Sequence, residues 1–372
     1  MEPSDLIDRE AETAHLMSLA EGGHATRLSA PRRYGKTSLL RRVGHDIEQR
    51  AGFNYVEVDF YGVFSQADVI ARLAEGYTKL RSPMRRIAIS AIRALHPRVT
   101  VGAGPVRIEA RPSTAEQANQ VLSGLLDLPL TLFERSGIRT LIAFDEFQAL
   151  LAVNPNIDGL FRSRIQRHGD AASYIFAGSH PGLMEQLFGA QERPFFGQAR
   201  ALLLEPLPDP ELADYIAALF EAGNRDVAPV LAALLDLVRG HPQRAMLLAH
   251  HLWDETPRGA VATPERWRLA LESVFAEHGE ALQATWDALE IKEQAVLAAL
   301  SLSDEPLFSQ GTLARFNLSK GGAQHARDRL AHIGHLHAVD GEWQLVDPLL
   351  EEWIKKFEVD ASSEDESSFG ID

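Results

Sequence analysis

The chain has no cysteine in its 372 residues. That excludes a disulfide framework and any thiolate metal site. No apolar run approaches the roughly 18–20 residues that cross a bilayer as a helix. Met1 to Leu6 carries Glu2 and Asp5, with neither the basic cluster nor the apolar stretch of a secretory signal. A cytoplasmic location is the expectation from these absences. Excess positive charge is missing too. The formal net charge is −15, which argues against a protein that adheres to nucleic acid over its whole surface.

The charge is uneven along the chain. Lys79 to Arg111 holds eight bases against one acid, Glu109, for a local +7. Residues 358–372 hold six acids and no bases, for −6. The length predicts two or three domains.

What is there starts with Ala30-Pro31-Arg32-Arg33-Tyr34-Gly35-Lys36-Thr37-Ser38. It follows the phosphate-loop pattern G-x-x-x-x-G-K-S/T, with Ala30 in place of the first glycine. Gly35 allows the backbone to approach phosphates, Lys36 reaches the β- and γ-phosphates, and the Thr37 hydroxyl ligates Mg²⁺. The helix that follows has Leu39, Leu40, Val43 and Ile47 on one side. Its first N–H groups and its dipole face the anion. If Ala30 needs a positive φ it costs about 1 kcal/mol, and otherwise nothing.

Short apolar runs alternate with helical patterns up to about residue 205. The runs are Ala25 to Ser29, Tyr55 to Phe60, Thr140 to Phe144, Tyr174 to Ala177 and Ala201 to Leu204. Alternation of this kind predicts a parallel sheet with helices on both faces. Arg27 sits uneasily in the first run. A helix is predicted over Ala115 to Arg135, with Thr114 as N-cap. Extended pieces around Val99–Val101 and Val106–Ile108 flank Gly102-Ala103-Gly104-Pro105 and read as a small hairpin. From Asp209 the pattern is helical, broken at Gly240-His241-Pro242. From Ile291 three helices lead into a hairpin, His337 to Leu345, with Asp340-Gly341 as its turn. That order is the winged helix-turn-helix pattern.

Leu141-Ile142-Ala143-Phe144-Asp145-Glu146 is an apolar strand ending in two carboxylates, the Walker B arrangement. Asp145 is expected to hold Mg²⁺, and Glu146 to polarise the attacking water. Taken alone, the pair reads more readily as the start of a solvated loop; the phosphate loop upstream, in the right order and at a plausible distance, turns the reading to the catalytic one. Ser179 or His180, at the end of the Tyr174 strand, is the candidate sensor of the γ-phosphate. Ser179 is preferred because its strand end belongs beside Asp145; His180 also reads as an exposed loop histidine.

With these motifs the chain resembles the archaeal-type ATPases within the STAND and AAA+ group of P-loop NTPases. The resemblance spans roughly residues 5–355 and rests on Ile7-Asp8-Arg9-Glu10, Pro31 to Ser38, Asp145-Glu146, Gly178-Ser179 and Gly240-His241-Pro242. It implies an α/β P-loop core with a five-stranded parallel sheet, then a helical lid, then a winged helix. It also implies ATP and Mg²⁺ as ligands. Ile7, Arg9 and Pro242 become neighbours of the nucleotide base, and Pro31, Arg32, Arg33, Tyr34, Gly35, Lys36, Thr37 and Ser38 join them as nucleotide-binding residues. Arg193 falls where related proteins carry an arginine finger, although it also reads as a surface arginine. Arg244 follows the Gly-x-Pro turn as a second sensor or a lid-surface residue. Members often carry Gly-Arg before the last strand, where this chain has Gly197-Gln198. That departure puts fast hydrolysis in doubt.

The expected domains are a core over 1–207 with an insertion near 79–114, a lid over 208–287, a winged helix over 288–357 and a disordered acidic tail over 358–372. The expected activity is ATP hydrolysis driving a switch of lid and winged helix. The alternatives are a tight nucleotide-binding regulator or scaffold, and a DNA-associated adaptor. From Ile291 to Phe357 seven bases face nine acids, so the winged helix alone is a poor phosphate binder. The basic insertion is the other candidate surface for DNA or an acidic protein partner.

Overall fold

Strands β1 (Thr26–Ser29), β2 (Phe53–Asp59), β3 (Arg139–Asp145), β4 (Ala172–Gly178) and β5 (Arg200–Leu203) form one sheet. Its order is β2-β3-β4-β1-β5, and every pairing is parallel. The computed structural model describes residues 7–50, 52–95, 114–339 and 341–367, with side chains to residue 357. The expected hairpin near residues 99–108 and Arg98, Arg107 and Arg111 lie outside the described residues.

The chain divides into two compact units. The first comprises Met1–Ala30 and Gly35–Leu204, and the second Pro31–Tyr34 and Glu205–Asp372. The middle of the phosphate loop, Pro31–Tyr34, groups with the second unit.

In the first unit the sheet carries helices α1 (Glu10–Glu21), α2 (Lys36–Glu48), α3 (Gln66–Thr78), α4 (Met84–Leu95), α5 (Ala115–Leu126), α6 (Leu128–Ser136), α7 (Leu150–Val153), α8 (Ile157–Ile165) and α9 (Pro181–Gly189). Central strands β3 and β4 are buried along nearly their whole length, as parallel strands covered on both faces must be. Phe60, Phe144, Phe147, Phe161, Phe176, Phe188 and Phe195 interlock around their C-terminal ends, stiffening the base of the strand-end loops.

Arg27 does not disrupt β1, because its guanidinium lies 2.6 Å from Glu185 of α9. The single helix expected from 115 to 135 is two. Pro129 at the second position of α6 lacks the N–H that would continue α5. Thr114 does cap α5, accepting from the Gln117 N–H.

The second unit is built from α10 (Asp209–Ala222), α11 (Ala228–Val238), α12 (Pro242–Glu255), α13 (Pro264–Asp287), α14 (Ile291–Leu302), α15 (Gln310–Arg315), α16 (Lys320–Ile333) and α17 (Pro348–Ser367). Antiparallel strands β6 (Leu336–Val339) and β7 (Glu342–Leu345) stand between the last two helices. Gly341, at φ 85, occupies the left-handed region in their connection; Asp340 lies outside the described residues. Helix α17 runs on to Ser367, into the acidic stretch. No helix among the described residues is long and apolar enough to cross a membrane.

Candidate functional site

Parallel α/β sheets bind ligands beyond the C-terminal ends of their strands. Here β1 leads into the phosphate loop, β3 ends at Asp145, and neighbouring β4 ends at Gly178. Gly35, at φ 85, starts α2, and a Cβ there would meet nothing within 4 Å. Open space therefore faces the first turn of the helix. Ala30 is fully buried and is not among the positive-φ residues. The missing first glycine costs nothing conformationally. The left-handed residue with a Cβ inside the loop is Arg33, at φ 68, which carries about 1 kcal/mol of strain.

Lys36 is buried, with its Nζ 2.5 Å from Asp145 Oδ1 and 3.0 Å from Glu146 Oε1. Thr37 Oγ1 donates to Asp145 Oδ2 over 2.7 Å. This is a P-loop fold. Strand order, the loop between β1 and α2, and the carboxylate pair at the end of β3 together make it so.

Glu146 takes φ 52, left-handed for a residue with a Cβ. Such backbone strain costs on the order of 1–3 kcal/mol and collects at functional sites. Glu146 Oε2 accepts from Ser179 Oγ over 2.7 Å and from the amide of Gln148. Burial pushes the Glu146 carboxyl up, but the Lys36 charge and the bonds from Ser179, Lys36 and Gln148 outweigh it, so the carboxyl stays below its usual range. Burial likewise pushes Lys36 down, and the two carboxylates more than restore it. Both groups are therefore charged at neutral pH.

His180 Nδ1 lies 3.1 Å from Gln148 Nε2 and 3.2 Å from Ser179 Oγ. Gln148 is a residue that the motifs do not announce. It is 4% exposed, and a Cβ on Gly178 would come within 2.5 Å of its Oε1. Glycine before Ser179 is what admits Gln148 beside Glu146.

Not every expected residue joins this cluster. Arg193 donates to the Pro155 carbonyl over 2.7 Å and to buried Asp158 over 3.3 Å. Gln198 accepts from Arg162 over 2.7 Å. Arg9, 4% exposed, lies 2.6 Å from Glu12 and starts α1 with φ 80. Ile7 and Ser38 are half-buried, and Arg32 and Arg33 are exposed.

The second unit has a polar cluster of its own. The Tyr34 ring meets His241 edge-on at 5.0 Å and His337 at 6.2 Å. Burial pushes the Tyr34 hydroxyl up to about 12, with Arg239 opposing and Asp347 and Glu205 assisting. Gly240 takes φ 71, and a Cβ there would lie 2.3 Å from the Leu207 carbonyl, so only glycine fits this turn. Pro242 opens α12, and His241 caps it by accepting from the Arg244 N–H. Arg244 is 4% exposed. It grips Asp347 with two bonds, Nε to Oδ1 at 2.8 Å and Nη2 to Oδ2 at 2.5 Å.

No family model matches the sequence, and no curated protein matches it. Solved structures do match across almost the whole chain. The Walker-type ATPase of Pyrococcus abyssi is 18% identical with TM-score 0.67, over 95% of this chain and 97% of that one. The Aeropyrum pernix ORC2 protein, in ADPNP and ADP complexes, is 14% identical with TM-score 0.59, over 98% of this chain and 97% of that one. The Aeropyrum pernix ORC1 protein in complex with DNA is 16% identical with TM-score 0.51, over 96% and 94%. At these identities the shared property is the P-loop fold.

Proposed function

We propose that the protein binds ATP with Mg²⁺ at the P-loop and hydrolyses it. The observation that carries this reading is one lysine ammonium shared between two carboxylates, 2.5 Å from Asp145 and 3.0 Å from Glu146, at the N-terminus of α2. Thr37 and Asp145 offer the oxygen donors a hard cation prefers. Mg²⁺, when bound, neutralises charge on the phosphate oxygens. Lys36 is the anion's point-charge partner, and Pro31 to Ser38 line its path. A phosphate that draws Nζ away from Glu146 also removes the cation that contributes most to holding this carboxyl low. Glu146 then becomes a stronger acceptor for the proton of an attacking water, with Ser179 and Gln148 fixing its orientation. Comparison of ATP turnover by wild type and Lys36→Ala tests the reading: turnover should vanish in the variant, and equal rates contradict it.

A second reading is a nucleotide-gated regulator that hydrolyses slowly. Two observations favour it. Arg193 is committed to buried Asp158, and Gln198, where members of the resembled group often carry arginine, accepts from Arg162. Robust turnover without a partner would count against it.

In either reading the nucleotide is the switch, and Ile7, Arg9 and Pro242 are proposed neighbours of its base. The helix–helix–helix–hairpin of residues 291–345 is proposed to be a winged helix. DNA contact is a further proposal, resting on the exposed Arg85, Arg86 and Arg93 of α4 and on the DNA complex of the ORC1 neighbour. Gel shifts of a triple alanine variant at these arginines, across a salt series, test it.

A further inference from the structure

Away from the P-loop, α12 and α13 bring together His251, Glu277 and His278, whose ligand atoms all lie within 4.8 Å of one another. We propose that these residues bind a divalent transition-metal ion of the zinc type, which staples α12 to α13.

The cluster has the features of a built site. His251 is 8% exposed, and its Nδ1 lies 3.0 Å from Ser273 Oγ of α13. A bond at one ring nitrogen sets which way the other faces, the usual support of a metal-bound histidine. The other nitrogen, Nε2, lies 3.5 Å from Glu277 Oε2. The second oxygen of that carboxylate is 3.7 Å from His278 Nε2. His278 Nε2 is itself buried and makes no hydrogen bond.

Three potential ligand groups thus lie within 4.8 Å of one another. If His251 donates its Nδ1–H to Ser273, its Nε2 lone pair faces a carboxylate oxygen, and two acceptors confront each other. A cation between them resolves the conflict. Ligand atoms bound at about 2.0–2.1 Å in a tetrahedron stand about 3.4 Å apart; His251 Nε2 and Glu277 Oε2 already stand 3.5 Å apart, and His278 Nε2 meets the other carboxylate oxygen at 3.7 Å. Two imidazoles and one carboxylate suit Zn²⁺, Co²⁺ or Ni²⁺, while Mg²⁺ and Ca²⁺ take oxygen donors. The ion is therefore distinct in kind from the one proposed at Thr37 and Asp145. Helix α12 also carries Arg244, so the staple would stiffen the helix that grips Asp347.

The test uses the full chain without nucleotide, titrated with Zn(II) alone. Wild type should take up one equivalent with a dissociation constant of roughly micromolar or below. Its melting temperature should rise, since a ligand that binds only the folded state stabilises it. Co(II) should give the visible absorption of a tetrahedral site. His278→Ala, at a half-exposed position, should weaken Zn(II) binding by about 10- to 100-fold and lose the Co(II) band while melting normally without metal. Glu277→Gln should weaken binding less. Lys36→Ala should bind Zn(II) as wild type does, which separates this proposal from the nucleotide reading. Equal uptake by wild type and His278→Ala would place the ion elsewhere among the 14 histidines and overturn the proposal. So would failure of wild type to bind at about 100 μM Zn(II).

Discussion

In the first unit one ammonium serves two carboxylates. Lys36 lies between Asp145 and Glu146, leaving negative charge in excess. In the second unit one guanidinium meets one carboxylate through two parallel bonds, and Arg244 and Asp347 are matched in charge and shape. An arrangement of the first kind is easily re-partnered. An anion competes for Lys36, and a cation competes for Asp145. The second kind has no vacancy to offer and resists exchange. Chemistry is thus expected at the mismatched cluster and rigidity at the matched one.

The sharpest way to break that contrast is Glu146→Gln. Turnover should fall by about 10²–10³-fold with ATP still bound, as read by steady-state hydrolysis beside equilibrium binding. A next, smaller effect is expected at the matched pair. Asp347→Ala leaves Arg244 buried and unpaired. It should cost about 3 kcal/mol, the low end for a broken buried pair, because Asp347 keeps a quarter of its side chain exposed. Denaturant titration measures it.

Acid probes the same unit through His241. Burial, with Arg244 and Arg33 assisting and Asp347 opposing, lowers its pKa from 6.5 to about 4. Between those values the unfolded chain binds the extra proton and the folded one does not. Stability is therefore full above about pH 6.5 and declines as pH falls towards about 4, by about 2 kcal/mol between pH 7 and 5. Asp347 acts in the same direction at lower pH. Burial raises its carboxyl, but Arg244 lowers it further, so its contribution fades only as pH falls through a value below the usual carboxylate range. His241→Asn retains a capping acceptor and should flatten the melting profile between pH 7 and 5. The smallest effect is expected at the loop's odd letter. Ala30→Gly should destabilise by about 0.5–1 kcal/mol through unfolded-chain entropy and leave turnover unchanged, because Ala30 needs no left-handed φ.

Much of the first cluster could be read in advance because its parts are local. A loop between strand and helix, and two carboxylates ending an apolar run, each fit within a few residues. All five strands lie where the apolar runs predict them. Gln148 was not legible, since nothing in Phe147-Gln148-Ala149 marks it. Only the glycine at 178, lying 30 residues on, makes room for it. The Arg244–Asp347 match spans 103 residues, and no spacing rule joins such a pair. Arg193 illustrates the converse. The resemblance makes it a candidate finger, but in the structure it donates to buried Asp158. His251, Glu277 and His278 sit on two helices without a recognisable motif and become a cluster only when α12 packs on α13.

The most direct test of the central claim is calorimetric binding of ATP, with Mg²⁺ present, to wild type and to Lys36→Ala. Wild type should give a clear binding isotherm and the variant at least about a tenfold loss in affinity, the order expected for removing one charged partner of a bound anion. Equal affinity in the two proteins would contradict it, whatever the turnover rate.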